Sequence, residues 1–270
     1  MGKFDGVLFF TDYDDTLYNS AHTVAREDRE AIRRFIQNGG YFSVATGRAH
    51  RTFTPQIEKE RLTLNAPVVL GNGSAIYDYA GDRYLLESFL PREAPGILAQ
   101  LCAWFPALGF EAYHGDDIYV HNPNRVTREH MAKVGVPHTL CPIGDMPTPW
   151  TKVILQQDHP YLEEVQARLL RRWGDRFEAI FSNPYLLEVT AKGCTKGSMV
   201  EKVAQLLYVK PQNLYCMGDN ANDISMLALS AIPFAPANCA RAVKDWGARV
   251  LGSCDDHAVA QAIEILDKIY

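Results

Sequence analysis

The apolar run Val7-Leu8-Phe9-Phe10 leads, one residue on, into Asp12-Tyr13-Asp14-Asp15-Thr16. A run this short, bounded by polar turn formers, reads as a strand buried on both faces, as in a parallel sheet. Asp12 and Asp14 then stand at the carboxyl end of that strand, where open α/β sheets gather their chemistry. Two carboxylates at one strand end lose solvation and repel each other. A cation and a reaction would explain that cost. An acidic turn that merely ends the strand is the plainer reading. A calcium loop is excluded, because its sixth position needs Gly and its twelfth Glu, and these are Leu17 and Thr23.

The chain continues in a βα rhythm. Val24, Ala31, Ile32, Phe35 and Ile36 have helical spacing, and Gly39-Gly40 ends that helix. Strands are expected at 41–45 and 67–70 with a helix near 51–61 between them, a βαβαβ opening that implies a parallel sheet. The texture then changes. Hairpins are expected over 76–88 and 110–122, helices at 94–105, 126–134 and 161–173, and strands at 150–156, 177–181 and 185–190. From Lys196 the first rhythm returns: a helix at 196–207, a strand at 213–217, a helix at 222–229, a strand at 232–235, a short helix from Cys239 and a final helix at 255–270. The fold class is α/β, a Rossmann-like parallel-sheet core formed by 1–80 and 189–270, with an α+β domain inserted at 81–188. A chain of 270 residues agrees with two domains at roughly 150 residues each.

Charge and cysteine usage narrow the function classes. The net charge is −5 and no basic block or basic-aromatic stripe occurs, so nucleic acid is not an expected partner. No apolar run approaches the ~20 residues of a membrane span, and the N-terminus lacks the apolar core of a signal peptide. The six cysteines form no Cys-x-x-Cys pair, which fits reduced thiols in a cytoplasmic protein. A small anionic ligand is compatible with an acidic chain, since a site can be locally positive.

Three further stretches fall at strand ends or helix starts. Thr46-Gly47-Arg48 follows a strand and offers a hydroxyl and backbone N–H groups to an oxyanion such as phosphate; an ordinary helix cap would look the same. Lys196-Gly197 opens a helix against local preference, since a cation there opposes the macrodipole and Gly weakens the helix. A need to neutralise anionic oxygens would explain the lysine, and the spacing does not match a P-loop. Gly218-Asp219-Asn220-Ala221-Asn222-Asp223 carries more carboxyl and carboxamide groups than a helix cap requires. Magnesium favours a few protein oxygens and keeps several waters, and Asp12, Asp14 and Asp219 could supply them.

Together, Asp12-Tyr13-Asp14-Asp15-Thr16, Thr46, Lys196 and Gly218 to Asp223 resemble the signature of the haloacid dehalogenase-like (HAD) superfamily of phosphohydrolases. The Thr46-Gly47-Arg48 triplet, Asn72-Gly73 and the large insertion before Lys196 resemble its Cof-type, class IIB branch. The resemblance implies a magnesium-dependent phosphatase acting on a small phosphorylated metabolite such as a sugar phosphate. Asp12 would be the nucleophile and Asp14 the acid–base. Mg2+ would be held by Asp12, the Asp14 carbonyl and Asp219. Thr46, Arg48, Lys196 and the N–H groups of Tyr13 and Gly47 would serve the phosphoryl group, with Asn222 reaching phosphate, Asn72 bordering the site and Asp223 orienting Lys196 or a metal-bound water. The family usually has Gly where this chain has Asp15. The inserted domain would be a mobile cap that excludes water and reads the leaving group, with Tyr113, His114 and Lys152 as possible readers. A phosphomutase and a binding protein that kept the fold are the alternatives; nothing in the chain assigns an oligomeric state. His114, His121 and His130 lack zinc spacing, and Trp104 and Trp173 read as packing.

Overall fold

The computed structural model describes residues 2–270. The first half of the core contains β1 (Leu8–Thr11), α1 (Arg26–Gln37), β2 (Tyr41–Val44), α2 (His50–Glu60), β3 (Val68–Leu70), β4 (Ala75–Asp78) and β5 (Arg83–Glu87). There follow α3 (Ala94–Trp104), β6 (Gly109–His114), β7 (Asp117–His121), α4 (Arg125–Val134), β8 (Thr139–Leu140), β9 (Lys152–Gln156), α5 (His159–Trp173), β10 (Phe177–Asn183) and β11 (Leu186–Ala191). The last part holds α6 (Lys196–Leu206), β12 (Leu214–Met217), α7 (Ile224–Leu227), β13 (Pro233–Ala235), α8 (Arg241–Trp246), β14 (Arg249–Val250) and α9 (Ala258–Ile269).

One sheet, in the order β14-β13-β12-β1-β2, is parallel throughout. Its centre is β1, with all four residues buried between β12 and β2. Phe9 packs edge-on against Phe35, Phe42 and Phe234 on one face, while Leu8 and Phe10 face Val200, Val203 and Cys216 on the other. A strand that is apolar on both faces requires such a two-sided core.

Two expected elements, 67–70 and 222–229, are corrected. The run at 67–70 is not a full member of the parallel sheet: β3 pairs antiparallel with β4, which pairs with β5, and only the Ala45–Val69 bridge joins β3 to the first sheet. The segment 222–229 divides into a 3-10 turn, Ala221–Asp223, and the short α7. The expected cut at 81 precedes β5, a strand of this small sheet, and the cut at 188 falls inside β11.

The second large sheet, β10-β11-β9-β6-β7-β8, is antiparallel except for β7 and β8. Alternation along its strands gives the two faces different jobs. Phe110, Ala112, Val153, Leu155, Leu187 and Val189 form one core with α3 and α5. Glu111, Tyr113, Lys152, Ile154 and Glu188 occupy the opposite face, in register across β6, β9 and β11. That polar face is turned toward the end of β1. We call this second unit the cap.

Candidate active site

Asp12 lies one residue past the last residue of β1, and its N–H donates to Met217 O at 2.8 Å, so the end of β12 fixes it. Lys196, the first residue of α6, is wholly buried, and its Nζ donates to Asp12 Oδ1 and, at 2.7 Å, to Asp223 Oδ1. Thr195 caps α6 by accepting from Ser198 N. Gly197 is required for packing: a Cβ there would meet the Ser225 carbonyl, with Met226 N at 2.9 Å. The lysine and glycine that local propensity disfavours are therefore set by contacts with other segments.

Burial raises the Asp12 carboxyl to about 7, against the opposing pull of Lys196. For Lys196, burial disfavours the ammonium, but Asp12 and Asp223 outweigh it and hold the pKa above its ordinary value. Asp219 is pushed well up by burial and then by Asp12 and Asp223. Ligand atoms of Asp12, Asp219 and Asp223 lie within 4.8 Å of one another. Asp223 is already committed, since its second oxygen accepts from the N–H groups of Asp219 and Asn220 at 2.9 and 3.0 Å. Asp12 and Asp219 remain, two crowded carboxylates whose repulsion a hard cation would relieve. The Asp14 carbonyl accepts no hydrogen bond among the described residues. This donor set fits a divalent cation.

The oxyanion side is built around Thr46, which is buried beyond β2. Its Oγ1 accepts from Arg48 N at 3.1 Å, leaving its own O–H free to donate. The N–H groups of Tyr13 and Gly47 have no acceptor among the described residues. A Cβ on Gly47 would come 3.0 Å from Asn72 Nδ2. Asn222 Nδ2 donates to Asn72 Oδ1 at 3.0 Å, which leaves Asn72 Nδ2 and Asn222 Oδ1 buried without partners. Turning both amides over exchanges these roles and still leaves one donor unpaired. Buried donors rarely stay unpaired, so a phosphoryl oxygen fits here.

Arg48 is not placed as a free phosphate donor. Its Nε and Nη2 fork the Asp14 carboxylate at 2.9 and 2.6 Å, and its guanidinium lies over Tyr13 and Tyr18, 5.3 and 5.7 Å from their ring centres. Asp14 thus faces Arg48, apart from the Asp12–Asp219–Asp223 cluster. The unusual Asp15 has φ +59°, a left-handed conformation that Gly adopts freely and Asp tolerates.

Asp12, Asp14, Gly47, Arg48, Asp219 and Asn222 line a cavity of about 210 Å³, with Thr46, Asn72 and Lys196 buried behind them. The cap supplies the opposite wall, including Tyr113, His130, Lys152, Ser182 and Glu188. His114 is absent from it, its Nδ1 lying 2.8 Å from Pro149 O. His130 was not anticipated. Its Nδ1 is 2.9 Å from Oε1 of the fully buried Glu111, which also accepts from Gln156 Nε2 and, at 3.2 Å on Oε2, from Tyr113 OH. A carboxylate in the middle of an otherwise apolar strand was the available signal for this group.

A family model described as haloacid dehalogenase-like hydrolase matches residues 9–263. The chain belongs to the haloacid dehalogenase-like hydrolases. Within this HAD family it is of the Cof-type, and the curated relatives are phosphatases. HMP-PP phosphatase of Cronobacter sakazakii is 26% identical over 220 residues, 81% of this chain and 79% of its own length. The 5-amino-6-(5-phospho-D-ribitylamino)uracil phosphatase YwtE of Bacillus subtilis is 24% identical, covering 94% of this chain and 96% of its own. The solved HAD subclass IIB sugar phosphatase BT4131 superposes with a TM-score of 0.84 at 20% identity, over 97% of this chain and 99% of that one. Among the described residues no helix of this HAD chain is long and apolar enough to cross a membrane.

Proposed function

We propose that this HAD phosphatase hydrolyses a small phosphorylated metabolite, a sugar phosphate in the first instance, through an aspartyl-phosphate on Asp12. The observation that carries this reading is Asp12 itself: a buried carboxylate at the floor of the cavity, held by Lys196 and opposed by Asp219. An Asp12 oxygen attacks phosphorus as the bond to the leaving oxygen breaks, and Asp14, which for this step must carry a proton and leave the Arg48 fork, gives that oxygen its proton. Asp14 then takes a proton from water, whose oxygen attacks phosphorus and breaks the bond to Asp12. Inorganic phosphate leaves and the carboxylate is restored. Lys196, the Thr46 hydroxyl, the Tyr13 and Gly47 N–H groups and the unpaired carboxamide donor of Asn72 and Asn222 hold the phosphoryl oxygens. Asp12, Asp219 and the Asp14 carbonyl would hold Mg2+, which would supply charge neutralisation between nucleophile and phosphate.

The polar wall of Ser182, Asn183, Asn220 and His130 suits a hydroxyl-rich leaving group. Phosphate release from a panel of sugar phosphates, nucleotides and phosphorylated pyrimidines, with Mg2+ and with chelator, tests the assignment. Mg2+-dependent release concentrated on sugar phosphates is expected. Release only from pyrimidine compounds would overturn the sugar assignment. No release from folded wild type, or turnover retained by Asp12→Asn, would overturn the mechanism.

A further inference from the structure

Lys152 lies on β9 in the middle of the cap sheet, but its ammonium reaches the core. Its Nζ donates to Gly47 O at 2.8 Å and to Glu188 Oε2 at 3.0 Å, and sits 4.5 Å from the centre of the Tyr113 ring. The side chain is 3% exposed. An ammonium has three N–H donors. Two are used in hydrogen bonds and the aromatic face occupies another side, so little capacity is left for a substrate.

Gly47 O belongs to the peptide unit whose N–H is that of Arg48, and this N–H donates to Thr46 Oγ1. The peptide is thus held at both ends, by the cap lysine at its oxygen and by the Thr46 hydroxyl at its nitrogen. The same hydroxyl, fixed as acceptor on one side, points its O–H elsewhere. Residues 71 and 72 hold the flanks of this turn, with Gly71 N donating to Arg48 O at 2.9 Å and Asn72 N to Thr46 O at 3.0 Å. Gly47 O has no other donor among the described residues, so its only anchor comes from the cap.

We propose that Lys152 is a positioning residue: it clamps the Gly47–Arg48 peptide so that the Thr46 hydroxyl and Gly47 N–H face the phosphoryl group only while the cap is closed. The inference deepens the phosphatase reading and rests on it for the role of Thr46 and Gly47. It separates Lys152 from residues that read the leaving group.

Inorganic phosphate has no leaving group, so a reader of the leaving group leaves its affinity untouched and a clamp does not. The test uses the full chain with Mg2+ and p-nitrophenyl phosphate, inhibited by inorganic phosphate. Lys152→Met leaves Glu188 buried without its cation, so Lys152→Met/Glu188→Gln is measured beside it. The inhibition constant for phosphate should rise about tenfold or more, as for loss of a charge-assisted hydrogen bond. KM for unrelated phosphate esters should rise by a similar factor, and Lys152→Arg should recover most of the loss. Backbone hydrogen exchange at residues 46–48 should quicken while the cap strands stay protected. Unchanged phosphate inhibition with substrate-selective KM changes would overturn the clamp and make Lys152 a reader. Unchanged exchange at 46–48 would also overturn it. If wild type shows no turnover, the phosphatase reading fails, and the exchange comparison still decides whether the clamp exists.

Discussion

Gly197→Ala separates the two pressures on the start of α6. By intrinsic propensity, Ala in a helix is favoured over Gly by about 1 kcal/mol. At 197 the new methyl would press on the Ser225 carbonyl and come 2.9 Å from Met226 N, both backbone atoms of a neighbouring element that cannot turn away as a side chain would. Forcing an extra methyl into such packing costs about 1–3 kcal/mol. The net expectation is destabilisation of about 0–2 kcal/mol, a fall of up to several degrees in Tm for a chain of this size, where propensity alone would have raised it. Because Lys196 is the adjacent residue, kcat should fall as well, by up to about 10²-fold if its ammonium moves by about 1 Å. Gly96 is the control. It lies in α3, and a Cβ added there would have nothing within 4 Å, so Gly96→Ala should raise Tm through propensity alone. Thermal unfolding and initial rates of the two variants test this directly. A Gly197→Ala enzyme that is as stable as Gly96→Ala and fully active would refute the packing argument.

Arg48→Lys replaces a two-pronged guanidinium fork on Asp14 with a single ammonium; kcat is expected to drop 10- to 100-fold with little change in phosphate inhibition, as steady-state rates would show. Asp28 is buried beneath the start of α9, accepting from Ala260 N at 2.8 Å, and burial raises its carboxyl from 3.8 to about 6. The raised value means that its contribution to stability is full below about pH 3.8 and is lost as pH rises through 6. Asp28→Asn keeps the acceptor and removes the charge, so it should stabilise at pH 7–8 by at most about 3 kcal/mol and have no such advantage near pH 4, in unfolding followed at both pH values. Asp15→Gly places the residue best suited to φ +59° and should retain most activity; a loss of 10²-fold or more would make Asp15 part of the acid–base machinery.

The central strands and the flanking helices were legible because each carries its own signal: β1 and β12 as short apolar runs, α1 and α5 by helical spacing. Asp12, Asp219 and Lys196 were legible for the opposite reason, since each sits where solvation or helix propensity would not choose it. The direction of β3 was not, because Val68-Val69-Leu70 suits a parallel or an antiparallel partner equally well. The fork between Arg48 and Asp14 and the reach of Lys152 to Gly47 join segments 34 and 105 residues apart, and composition carries no trace of such pairings. Glu111 and His130 were not joined by sequence reading because they stand 19 residues apart, and Gln156, which donates to the same carboxylate, lies 45 residues from Glu111.

The pairing of β1 with β12 also governs how this protein is made. Leu8 to Thr11 lie beside Leu214 to Met217, so the strand that leads into Asp12 has only β2 beside it until some 200 further residues have been synthesised. The cap sheet closes within residues 109–191 and can assemble first. Such distant pairing slows folding and leaves an apolar strand edge open to other chains. On the ribosome, a nascent chain halted before Leu214 would therefore carry a finished cap and an aggregation-prone half-core, and the Asp12–Asp219–Asp223 cluster would form only once β12 and the residues after it emerge.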